Sequence, residues 1–289
     1  MLAQLVLSGI SQGCLYALVA LAMTVVYRAT TVVNFGHGDL LMAGAFAVYV
    51  LVIFAKVPFI PAALLAIGLL FATGVGIQHW LIRPILRGPH LSLAMMAIAV
   101  GYFLRGVARV FWGREVLPFP KIYPDKSFFL GSVVLNSSDL VITGSAIALF
   151  FLLWLLFAVT PVGKTAQAVF QSQRGAALVG INVGAFHGAM WGLGAAMAAV
   201  GGILIAPVTL LYPDMSASTL IRGFAAMTLG GFGSFPGAVI GGLLLGVMEM
   251  LVGGYVGSRF IDITAYLVII LVLLVRPVGL FGRQVVVRV

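Results

Sequence analysis

The chain has 289 residues, of which 62% are hydrophobic and only 8% charged, with 16 Lys and Arg against 7 Asp and Glu. Its mean hydropathy is +1.20, whereas a soluble domain carries about 25% charged and about 45–50% apolar residues. This excludes a soluble globular fold, a disordered chain and a secreted disulfide scaffold. The lone Cys14 leaves no intramolecular disulfide and no multi-cysteine metal site. The composition defines an integral membrane protein.

A helix needs about 20 apolar residues to cross a hydrocarbon core of roughly 30 Å. The stretches Leu2–Tyr27, Phe59–Ile82, Leu91–Trp112 and Leu140–Val159 meet that requirement. With no Lys or Arg before Arg28, the first stretch reads as a retained span rather than a cleaved leader. Gly188–Ile205 is rich in Gly and Ala, which let membrane helices approach closely. Leu40–Ala55, Pro236–Val252 and Ile263–Val275 are shorter. Leu220–Leu229 is shorter still and suits a half-helix buried among neighbours. The expected fold is all-α: a polytopic bundle of about 8–10 transmembrane segments, about nine being favoured, with broken or short helices.

The basic residues stand singly at the ends of apolar stretches, as loop charges do, with no cluster that would suit nucleic acid. Three polar connections stand out, at residues 83–90, 113–138 and 160–186. Placing the first and third in the cytoplasm puts Arg28, Arg83, Arg87, Lys164, Arg174, Arg276, Arg283 and Arg288 inside. Lys56, Arg114, Lys121, Lys126, Arg222 and Arg259 then lie outside. The Lys and Arg bias favours this arrangement, with the N-terminus outside and the C-terminus inside. A repeat also shows. Phe35-Gly36 opens a segment running to Gly44, and Phe232-Gly233 opens one with the same internal spacing running to Gly241. Each is preceded by an apolar segment and followed by two more, and the halves close at Arg83-Pro84 and Arg276-Pro277. Repeated halves around a central path recur in transporters.

Ala158-Val-Thr-Pro-Val-Gly-Lys-Thr165 falls one residue short of a phosphate loop: Ala158 replaces the first Gly and Pro161 removes an N–H. A membrane span precedes it, so no nucleotide site is expected. The stretch Gly163–Asn182 reads instead as short amphipathic helices at the membrane face. They either dock a cytosolic partner or lie in the lipid interface.

Asn34-Phe-Gly-His-Gly-Asp39 joins two apolar segments, with glycines that permit a chain break. Asp39 reads as a cap of the following helix or as a group on the translocation path. His37 reads as a satisfied buried histidine or, less simply, a proton relay, and no ligand spacing points to a metal. Arg105 and Arg109 share one helix face, and Glu249 is the acid deepest within an apolar segment. At about 1.5 Å per residue, Arg105 and Glu249 both lie roughly 20 Å along their spans, so an ion pair between them is one expectation. The other is Arg109 snorkelling outward and Glu249 buried in its protonated form. No catalytic constellation is readable.

Several of these residues together resemble a family. Tyr27-Arg28 leads into Val33-Asn-Phe-Gly-His-Gly-Asp39, and Ala176-Ala-Leu-Val-Gly-Ile-Asn182 closes the loop. Gly230-Gly-Phe-Gly-Ser-Phe-Pro-Gly-Ala-Val-Ile-Gly241, Gly246-Val-Met-Glu249 and Arg276-Pro-Val-Gly-Leu-Phe-Gly282 follow in order. Nearly end to end, the chain is similar to the permease subunits of bacterial ABC importers for branched-chain amino acids, of the LivH type. The resemblance implies a single transmembrane permease domain over residues 1–289 in the inner membrane. It also implies a second related permease subunit in a hetero-dimer, two cytosolic ATPase subunits and a periplasmic substrate-binding protein. No cofactor is then bound by this chain, and ATP is used by the partner subunits.

By the same resemblance the loop at residues 160–186 is the ATPase-coupling element, with Gly163, Lys164, Thr165, Arg174, Ala177, Gly180 and Ile181 as its candidate residues. Gly180 matches the family's coupling-loop glycine. The family often has an acidic residue near Gln173-Arg174, and this loop has none. Asn34, His37, Asp39, Arg105 and Glu249 are the candidates for the path or gate, and residues 113–138 form the external loop. The competing expectation is a self-sufficient secondary transporter or channel for a small polar solute. No side chain separates a carboxylate-bearing substrate from a neutral one.

Overall fold

The computed structural model describes residues 1–86, 88–121, 123–124, 126–130 and 133–282. Seven helices among them are long and apolar enough to cross a membrane. They are α1 (Leu2–Thr30), α3 (Phe59–Gly76, continued to Ile85 by a π-helical and a 3-10 turn), α4 (His90–Trp112), α5 (Ser137–Val159), α8 (Val183–Thr209), α10 (Phe235–Tyr255) and α11 (Ile261–Val275, with the 3-10 turn Ser258–Phe260 before it). Two shorter helices, α2 (His37–Ile53) and α9 (Ser216–Gly230), have 17 and 15 residues. On the connection between α5 and α8 lie α6 (Pro161–Gln171) and α7 (Gln173–Leu178). The fold is a polytopic helical bundle with short helices, as the hydropathy pattern predicts.

The chain forms two compact units, Met1–Thr24 with Tyr123–Thr143 and Ala217–Val289, and Val25–Ile122 with Gly144–Ser216. In the second unit α8 is the central helix and packs against α2 and α3. Within its apolar window 78% is buried, against 28% for α3. Small residues allow this closeness: a Cβ on Gly202 would overlap the Leu41 carbonyl of α2, and one on Gly44 would meet Ala199. The outer helices expose large apolar side chains instead, Leu64, Leu65 and Leu69 on α3 and Phe151 and Trp154 on α5. Faces of that size and chemistry need lipid or protein against them.

In the first unit α10 lies against the N-terminal part of α1, where Gly13 faces Gly246 and Ala17 faces Gly242. The 113–138 connection, expected as loop, contains an antiparallel hairpin of β1 (Ser127–Leu130) and β2 (Val133–Asn136). Gln4 of α1 clips it with its whole amide: Nε2 donates to the Val134 carbonyl at 2.9 Å and Oε1 accepts from the Val134 N–H at 2.8 Å. The segment after α11 folds back on α9. Leu280 and Phe281 donate their N–H groups to the carbonyls of Leu229 and Gly230 at 2.9 and 3.0 Å. Helix-end carbonyls otherwise lack partners, so Arg276–Gly282 closes α9.

The element order repeats as the sequence suggests, α1–turn–α2–α3 and α9–turn–α10–α11. The turns themselves differ. Asn34 Oδ1 accepts from the Gly36 N–H at 3.0 Å, with Gly36 at φ −82°, whereas the second turn has Gly231 and Gly233 at φ +105° and +77°. Ser234 caps α10 by accepting from the Gly237 N–H.

Candidate functional site

In the unit built on α8, the turn before α2 places Asp39 in that helix's first turn. Its carboxylate, only 6% exposed, makes no cap bond. One oxygen, Oδ1, accepts from Arg105 Nε and Nη2 at 2.9 and 2.8 Å and from Ser216 Oγ at 3.0 Å. Gly101, one turn before Arg105 on α4, makes room, since a Cβ there would strike Asp39 Oδ2. Asp214 continues the array outward, 3.7 Å from Arg105 and paired with Arg109. The cap expected of Asp39 is thus replaced by an ion pair across helices, although its position still complements the helix dipole. Arg109 likewise does not stand free at the interface but pairs with Asp214.

The other unit carries a second array. Glu249 of α10 is fully buried; its Oε1 accepts from Arg222 Nε at 3.0 Å and its Oε2 from the Tyr16 hydroxyl at 2.6 Å. Arg222 also donates to Asp262 at 2.6 Å, and that outer carboxylate is 82% exposed. Within its own unit Arg105 is paired with Asp39, and within the other Glu249 is paired with Arg222. Arg222, counted with the outside residues, lies in α9 within the run Leu220–Leu229. The apolar run Leu220–Leu229 extends one turn further toward its N-terminus than hydropathy suggests.

His37 opens α2 fully buried, and neither ring nitrogen has a hydrogen-bond partner among the described residues. The buried histidine is therefore present and its satisfaction is not. Asn34 is buried too, held by the turn it makes with Gly36. Among the described residues no three His, Cys, Asp or Glu side chains gather as a metal would need.

The 160–186 segment folds as two short helices. Pro161 opens α6 at a position where its missing N–H is harmless. Gly163 packs on the Phe157 carbonyl, and Ala166, Val169 and Ala176 are buried. Lys164, Arg174, Ala177 and Gly180 are exposed, while Thr165 and Ile181 are half-buried. Ser172 caps α7 by accepting from the Gly175 N–H, and Gly180 ends it at φ +85°. The tip presents Leu178 and Val179, 88% and 76% exposed. The ring of Phe170 lies 4.4 Å beneath the Arg28 guanidinium, which ties α6 to the end of α1.

Seven helices long and apolar enough to cross a membrane, with ion-paired carboxylates buried in the bundle, point to a multi-pass membrane protein. A family model described as branched-chain amino acid transport system / permease component matches residues 5–275, and the chain belongs to that family. It is 30% identical to the high-affinity branched-chain amino acid transport system permease protein LivH of Salmonella typhimurium, over 97% of this chain and 95% of that one. Identity to the BraD permease protein of Pseudomonas aeruginosa is 29% at the same coverage. A probable LivH of Methanocaldococcus jannaschii is 28% identical over 93% of this chain and 89% of that one. The fold also resembles a solved structure, PsaBC from Streptococcus pneumoniae in complex with Fab, at a TM-score of 0.50 and 14% identity, over 93% and 91% of the two chains.

Proposed function

We propose that the chain forms part of the translocation path of an ATP-driven importer for branched-chain or related amino acids. It sits in a bacterial inner membrane with its N-terminus outside. A second related permease subunit completes the path, a periplasmic binding protein delivers the substrate, and two cytosolic ATPases work beneath. Asn34, His37, Asp39, Arg105 and Glu249 belong to the path or gate, and this chain binds no cofactor of its own. ATP binding draws the ATPases together and shifts the membrane subunits toward one access state, and hydrolysis releases it.

The observation that carries this reading is the tip of α7. Leu178 and Val179 stand exposed beside Gly180 at the end of α7, whose Ala176, like Ala166 and Val169 of α6, is buried. Such a tip suits a groove on a protein partner. The test is co-purification in mild detergent of the intact chain, and of a form with residues 163–182 replaced by a Gly/Ser linker. The intact chain should bring a nucleotide-binding subunit, and the folded replacement should lose it. If neither form brings an ATPase and the chain alone moves solute down an ion gradient, it is a self-sufficient secondary transporter instead.

A further inference from the structure

A polar cavity of ≈ 560 Å³ lies beside α7, within the unit built on α8, and neither the ion-paired arrays nor the docking tip uses it. Its wall includes Thr30, Gln78, Arg83, Gln173, Gly184 and His187, and no Asp or Glu lines it. Beside the Arg83 guanidinium the wall carries Thr, Gln and His groups that both donate and accept, and no carboxylate among the described residues.

Arg83, at the 3-10 turn that ends the α3 span, forms no ion pair among the described residues. Gln78 sits on the π-helical turn Ile77–Ile82, a local irregularity that often marks a functional position. It is 1% exposed, and its Nε2 has no hydrogen-bond partner among the described residues. His187 is 5% exposed, and its Nε2 is equally unpartnered. A buried polar atom left unpaired costs about as much as a lost hydrogen bond, and both of these belong to side chains on this cavity's wall.

The fourth contributor is the start of α8, a 27-residue helix. Asn182 caps it through the Ala185 N–H at 3.0 Å. Val183 and Gly184 both line the cavity, and their N–H groups precede the first intrahelical bond. The positive end of a long helix with free amides is a ready site for phosphate oxygens.

We propose that this cavity binds a phosphate group, held by Arg83, Gln78, His187 and the Val183–Gly184 amides. The groups come from the end of the α3 span and the start of α8, and free amides at a helix start suit phosphate oxygens. The group is either free phosphate or the headgroup of an anionic lipid, and the cavity volume admits both. Gln173 of α7 is part of the wall, so a bound phosphate ties α7 to the start of α8. The proposal is independent of the importer reading, and its test needs no ATPase.

The full chain, purified in neutral detergent, is titrated with sodium phosphate at fixed pH and ionic strength while its thermal unfolding is followed by tryptophan fluorescence. In parallel, phosphatidylglycerol retained by the chain is counted by native mass spectrometry. A saturable rise of the midpoint with phosphate identifies the free anion. One retained phosphatidylglycerol per chain without that rise identifies the headgroup. In either case Arg83→Gln weakens binding about ten-fold or more, as expected for losing hydrogen bonds to a charged group.

Thr31→Asp guards against a folding defect. Thr31 is exposed on the rim at φ +55°, where Asp is better tolerated than a β-branched residue. The added charge should repel phosphate from a folded protein. The proposal fails if wild type binds neither probe, or if wild type and both variants bind alike.

Discussion

Arg105 spends both Nε and Nη2 on a single oxygen of Asp39, at 2.9 and 2.8 Å, while Ser216 donates to that oxygen as well. Glu249 and Arg222 form a comparable centre in the other unit, and both follow one plan. A buried carboxylate meets an arginine that is 15% or 17% exposed, and the arginine reaches outward to a second acid, Asp214 or Asp262. Buried carboxylates are costly unless paired, so each arginine is what allows its acid to be there.

Removing one member of the Asp39 pair should therefore cost more than removing both. Asp39→Asn and Arg105→Gln singly are each expected to lower the unfolding midpoint in detergent. The double variant should recover part of the loss, with a coupling of about 0.5–3 kcal/mol. Denaturation of the four proteins under one condition measures it. Strictly additive losses would mean that the bond contributes nothing and that the pair is only adjacent.

At the second centre the Tyr16 hydroxyl and Arg222 hold separate oxygens of Glu249, so their contributions separate. Tyr16→Phe removes one hydrogen bond and leaves Arg222 in place, at a cost of about 1–2 kcal/mol. Glu249→Leu leaves Arg222 with only the exposed Asp262 as its acid partner and should cost about 3–5 kcal/mol. The ranking can be read from chemical denaturation of the reconstituted chain. Equal effects of the two changes would contradict the assignment.

The acids of both centres and Arg105 stand out in the sequence, but which groups pair does not. Asp39 and Glu249 are visible as acids within or beside apolar runs, but Arg105 is 66 residues from Asp39, and periodicity carries no information on pairing at that distance. Arg222 was hidden for another reason. It falls near the start of the short apolar run Leu220–Leu229, where a charge reads as a flank of the span rather than as part of it. The hairpin had a local signal in Phe128-Phe129-Leu130 and Val133-Val134-Leu135, both β-favouring, which a polar connection masked. The span cores, by contrast, follow from hydropathy, because crossing a hydrocarbon core demands a long apolar run, whereas the ends run further, as in α8 from Val183 to Thr209 rather than Gly188 to Ile205.

The hairpin's attachment is itself testable. Gln4 contributes two hydrogen bonds to Val134 and a weaker one to Ser8. Gln4→Leu keeps the volume and loses the clip. Amides of residues 133–136 should then exchange faster while α1 is unaffected. Unchanged protection there would show that the hairpin is held by its own pairing alone.

Two glycines of the α6–α7 segment should respond in opposite ways to the same change. Gly163 has no room: an added Cβ would overlap the Phe157 carbonyl, so Gly163→Ala must displace α6 from the end of α5. Gly180 has open space around it, and the strain of Gly180→Ala comes only from φ +85°, about 1–2 kcal/mol for a residue with a Cβ. The first substitution should lower the folded yield and the unfolding midpoint. The second should leave both close to wild type while altering the angle at which Leu178 and Val179 are presented. If α7 docks on an ATPase, Gly180→Ala then reduces substrate-stimulated ATP hydrolysis in the reconstituted complex several-fold, at unchanged subunit stoichiometry. Gly180→Ala with full stimulation would remove Gly180 from the coupling residues, whatever the fate of Gly163→Ala.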